Sequence, residues 1–133
     1  MAASMLGWLL AWGFWLTMTG RYHPTSGLAV IVTSSLVFAF ASASYCNHLI
    51  LVPRFAAKKR RWAYAFSLVA TMALWTLVAL CIIRSSYQRI VGPDSDPNGS
   101  YKHFAIDFTG MVFHVAIASS IVRLVRPAVR WVD

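Results

Sequence analysis

Three ionisable side chains, His103, Asp107 and His114, are the ones whose type and spacing offer chemistry. With Gly110 they follow an i, i+4, i+7, i+11 pattern, which places them on one face of a helix. At 1.5 Å of rise per residue His114 lies ~16 Å along the axis from His103, with Asp107 about one turn in. The surrounding residues are apolar, and ionisable groups at such depth in a membrane are costly and face protein or water. Three chemistries stay open. The face is a polar seam that bonds to a neighbouring helix, or neutral His114 is an axial ligand to a tetrapyrrole metal, or Asp107 and His114 pass protons or ions. The last is weakened because no second carboxylate falls in any apolar segment.

No catalytic residue is expected. The chain has no Glu, and Asp94 and Asp96 fall in a turn-rich stretch, Gly92-Pro93-Asp94-Ser95-Asp96-Pro97-Asn98-Gly99. A metalloprotease His-Glu box, a phosphate-cradling Gly loop and a nucleophile elbow are all missing. The four histidines lack metal-ligand spacing, so no metal is expected and no cofactor is required. Contact with a tetrapyrrole pigment or with lipid, His114 being the candidate cofactor-binding residue, remains the one expectation of that kind. Cys46 and Cys81 fall toward opposite faces of the membrane and are expected to be free thiols.

The elements that must position these residues follow from the charges. Residues 1–20, 22–53 and 62–83 carry none, and 104–122 carry only Asp107. Each run is long enough to cross a hydrocarbon core of ~30 Å, and 59% of the residues are hydrophobic, with a mean hydropathy of +0.62. The expectation is an all-α integral membrane protein, one domain over 1–133, with four transmembrane helices (2–19, 27–52, 62–83 and 104–125) in an antiparallel bundle. Pro53, lacking an amide proton, is expected to end the second span. The first segment has no basic n-region and no small-residue cleavage site, so it reads as a span and not a cleaved signal peptide.

A net charge of +8 excludes little once topology is considered, and no nucleic acid partner is expected. Arg54, Lys58, Lys59, Arg60 and Arg61 sit in the second loop, and Arg123, Arg126 and Arg130 follow the fourth span; Arg21, Arg84, Arg89 and Lys102 flank the other loops. Basic residues gather on the cytoplasmic side. Both termini and the second loop are therefore placed in the cytoplasm, in a bacterial inner membrane, with Lys58–Arg61 able to attract anionic lipid.

Small residues recur at helical spacing. Ala3, Gly7 and Ala11 form one stripe, and Ser35, Ala39 and Ala43 another, each letting a second helix approach closely. Trp8, Trp12 and Trp15 occupy a neighbouring face of the first span, where they pack on protein, on a flat ligand or on lipid.

The junction Tyr45-Cys46-Asn47-His48-Leu49-Ile50-Leu51-Val52-Pro53-Arg54-Phe55, continued by Lys58-Lys59-Arg60-Arg61-Trp62-Ala63-Tyr64, resembles a known pattern. It is similar to the turn between the second and third spans in the four-helix membrane module of bacterial sensor histidine kinases of the LytS/YehU-like type. Tyr45, Asn47, Pro53, Arg54 and Tyr64 match that pattern one by one, over about twenty residues. The resemblance implies that Asn47 bonds across to another span and that Pro53, Arg54 and the basic cluster anchor the turn in the cytoplasm. In that family a kinase domain follows the fourth span; these 133 residues hold none, so a sensor-type module without its kinase is expected.

Two functions follow. The first is a non-catalytic accessory subunit that packs its helices against other integral membrane proteins in a larger complex, such as an energy-converting or photosynthetic assembly. The second is a stand-alone ligand-sensing module acting through a partner histidine kinase.

Overall fold

A computed structural model describes the backbone of residues 2–93 and 100–129, and the side-chain surroundings of 5–93 and 103–123. The described residues are almost wholly helical and include no strand. Helix α1 (Ala2–Thr19) closes in a short 3₁₀ turn, Gly20–Tyr22. Helix α2 (Ser26–Cys46) is prolonged by a wider, π-wound segment, Asn47–Ala56. Helices α3 (Arg61–Ile90) and α4 (Ser100–Val129) complete the bundle. Three helical stretches, Ser26–Ala56, Arg61–Ile90 and His103–Arg123, are long and apolar enough to cross a membrane. The 30 residues of α3 measure ~45 Å, more than a hydrocarbon core, so its ends reach past the apolar layer.

Local chemistry sets the boundaries. Thr25 caps α2, its Oγ1 accepting from the Leu28 amide at 3.2 Å. Pro53 does not end the helix as its missing donor suggests. The chain instead widens around it and runs on to Ala56. An α-helical turn would press the proline ring on the carbonyl four residues back. In the wider winding amides reach five residues back, and the same pattern closes the segment: Ala57 N–H bonds Val52 O at 2.9 Å and Arg60 N–H bonds Phe55 O at 3.0 Å. Lys59 then takes the left-handed conformation (φ 59°) and donates to Ala56 O. Together these bonds form a Schellman stop, with lysine where glycine is usual. Pro127 likewise lies within α4 and does not close it.

Helix α2 is the hub, packed against α1, α3 and α4. The core joins Ala39, Phe40 and Ala43 to Met72 and Ala79 of α3 and Met111 and Val115 of α4. Ala39 and Ala43 are sealed, and a methyl at each position lets the facing helices come close. Gly7, of the other small-residue stripe, does not do this within the described residues. Gly7 is exposed, and a Cβ added there would meet nothing within 4 Å. Instead α1 docks through its tryptophans: Trp8 lies on the core, and Trp12 Nε1 donates to Ser34 Oγ at 3.0 Å. Its other faces leave Leu6, Leu9, Leu10 and Phe14 more than half exposed, as Phe66 is on α3 and Phe113 on α4. Water penalises such a surface, whereas lipid tails do not.

Candidate functional site

The seam of His103, Asp107 and His114 is divided in the fold into two stations. His114 sits among the helices, its ring stacked on Phe40 at 4.3 Å and 18°. Trp15 Nε1 donates to His114 Nε2 at 3.1 Å, and His114 Nδ1 lies 2.8 Å from Gly110 O. An indole N–H only donates and a carbonyl only accepts. The ring must therefore be the neutral tautomer protonated at Nδ1. Both nitrogens are committed, so a metal could take Nε2 only by displacing Trp15. Here α1 is tied to α4 by a side chain whose depth would be costly if unpaired.

A separate polar cluster, outside that seam, closes the end that holds the basic turn. Asn47, at the start of the π-wound segment, is 2% exposed. Tyr64 Oη donates to Asn47 Oδ1 at 2.9 Å, and Asn47 Nδ2 donates to Ser119 Oγ at 3.2 Å. One amide thus joins α2 to α3 and α4. Asn47 is an internal bolt, while Pro53, Arg54, Lys58, Lys59, Arg60 and Arg61 lie exposed around the turn beyond it. Two of the residues that carry the sensor-kinase resemblance, Asn47 and Tyr64, are direct partners.

The opposite end is open. A cavity of about 460 Å³ lies between the end of α1, the first turns of α2, the last turns of α3 and the start of α4. Val32, Leu36, Leu80 and Ile83 supply its apolar wall, and His23, Arg84, Tyr87, His103 and Asp107 supply polar groups. His23 Nδ1 and Tyr87 Oη are 2.6 Å apart, which pins the α1–α2 turn to α3. Burial holds the His23 imidazole below its usual 6.5, because taking a ring out of water disfavours its charged form.

Sequence spacing identified His103 and Asp107 but missed His23, Arg84 and Tyr87 as their companions. His23 and Tyr87 are 64 residues apart, and no periodicity within one helix could pair them. Among the described residues, no three His, Cys, Asp or Glu side chains converge as a metal-binding group. Cys46 is half-buried and Cys81 exposed, both as free thiols. Comparison with protein families, curated proteins and solved structures finds no match to this chain.

Proposed function

We propose that the chain is a non-catalytic, multi-pass membrane module that senses a small molecule and acts through a partner histidine kinase. The observation that carries this reading is the unequal construction of the two ends. One end is bolted by Asn47 across three helices. The other holds a cavity of about 460 Å³ with an apolar wall and a few polar groups, within the ~300–1,000 Å³ usual for ligand sites. The direct bond between Asn47 and Tyr64 adds support, since both belong to the sensor-kinase pattern. In this proposal α1, 18 residues without a charge and ~27 Å long, is a fourth span. Both termini and the Lys58–Arg61 turn are cytoplasmic, in a bacterial inner membrane, and the cavity opens toward the outer face.

A second reading, an accessory subunit of a larger membrane assembly, is favoured by one feature. The Gly7 side of α1 is open to the outside, where a helix of another protein has room to approach. Purification from the native membrane in mild detergent separates the two. A sensing module should co-purify sub-stoichiometrically with a histidine kinase, and Gly7→Leu should leave that association unchanged. Recovery only in a fixed-stoichiometry assembly without a kinase, lost in Gly7→Leu, would overturn the sensing proposal.

A further inference from the structure

The turn between α2 and α3 gathers charge that no described carboxylate answers. Arg54, Lys58, Lys59, Arg60 and Arg61 are all exposed there. The chain has no Glu, and of its four Asp the one described, Asp107, lines the cavity at the opposite end of the bundle. Among the described residues none of the five cations has an ion-pair partner. Arg123, about a turn beyond Ser119 on α4, is exposed at the same end.

An apolar stripe begins where the charge stops. Trp62, Phe66 and Val69 recur at i, i+4 and i+7 and so share one face of α3. They are 89%, 79% and 52% exposed, on a helix long and apolar enough to cross a membrane. Tryptophan favours the headgroup layer, which places Trp62 at the border between the cations and the acyl region. Charge and stripe thus run on from each other along one helix. A ligand that fits both is anionic at one end and apolar along the rest.

We infer that this turn is a binding site for an anionic phospholipid, with its phosphate held by Lys58, Lys59, Arg60 and Arg61 and an acyl chain laid along Trp62, Phe66 and Val69. The inference is independent of the sensing proposal and of the side of the membrane that the turn faces. Guanidinium groups match phosphate in a planar, two-pronged geometry, and lysines add point charge. A basic loop alone gathers anionic lipid diffusely, by about fivefold per charge. The stripe gives the tail a place beside the head, so a lipid stays with the protein. An acidic peptide arriving from water would meet the cations and leave Trp62 and Phe66 uncovered.

The test uses the full chain in nanodiscs of phosphatidylcholine and phosphatidylglycerol, with one or the other lipid brominated to quench nearby tryptophan fluorescence. In low salt the phosphatidylglycerol form should quench at about fivefold lower mole fraction or less, the worth of at least one charge at an anionic surface. In 1 M salt, where screening acts within ~3 Å, the preference should fall sharply; this arm alters no residue, so a folding defect cannot decide it. Combined Lys58→Gln, Lys59→Gln, Arg60→Gln and Arg61→Gln should abolish the preference, and Lys58→Arg with Arg60→Lys should keep it. Trp62→Phe should remove most of the phosphatidylglycerol-specific quenching. Equal quenching by the two lipids would overturn the inference, as would a preference that survives the four-glutamine variant or is unchanged in Trp62→Phe. Polyglutamate that binds the discs and removes the preference would assign the turn to an acidic protein segment and overturn the lipid.

Discussion

Replacing Asn47 with leucine tests the central structural claim, that one buried amide bolts α2, α3 and α4 together. The side chain is 2% exposed and makes two bonds, to Tyr64 Oη at 2.9 Å and Ser119 Oγ at 3.2 Å. In membrane proteins such interhelical bonds average ~0.6 kcal/mol and reach about 1.7. Losing both therefore costs about 1–2 kcal/mol. Leucine fills a similar volume, so no large cavity term is added. Ser119 has a cheap alternative, since Ser120 beside it already bonds the carbonyl four residues back at 2.9 Å. Most of the loss should thus fall on the Tyr64 bond. The assay is reversible unfolding in mixed detergent micelles for the parent, Asn47→Leu, Tyr64→Phe and the double variant. Tyr64→Phe alone should cost about 0.6–1.7 kcal/mol, and adding it to Asn47→Leu should cost much less, because the bond is already gone. Strictly additive losses, or an Asn47→Leu protein as stable as the parent, would refute the bolt.

Two further outcomes follow from the geometry. Nitrogen NMR of His114 at neutral pH should show the tautomer protonated at Nδ1, and Trp15→Phe should shift the Nε2 resonance; a ring protonated at Nε2 would contradict the pairing described. Burial lowers the His23 pKa below 6.5, so between the lowered value and 6.5 the unfolded chain binds more protons than the folded one. Stability should therefore be full above that window and fall as the pH drops through it. The fall should be shallower in His23→Gln, and identical pH slopes for the two proteins would exclude His23 as its source.

Much of the fold is legible from charge alone. The uncharged runs mark the apolar helices because lipid leaves a chain no other way to satisfy its backbone. Boundaries are less legible, and Pro53 shows why. A proline excludes an α-helical turn but not a wider one, and local composition does not report which is adopted. Helical spacing placed Ala39 and Ala43 on a packing stripe and gave Gly7 an equal claim. Periodicity identifies a face but not its neighbour: Ala39 and Ala43 meet facing helices, whereas a Cβ at Gly7 would meet nothing within 4 Å. His103, Asp107 and His114 illustrate the same limit. They share a face, yet Phe40 and Trp15 take up His114 while the other two line a cavity completed by residues from distant turns.

The central position of α2 has a consequence for the order in which the molecule is made. Trp15 and Phe40, which bond and stack on His114, both belong to the first two helices. During synthesis from the N-terminus at ~5–20 residues per second, they leave the ribosome seconds before His114 exists. Ser34 and Trp12 can already hold α1 on α2 in that interval. The receptacle for His114 is therefore built before its occupant, and α4 joins the bundle with a partner waiting for its polar side chain.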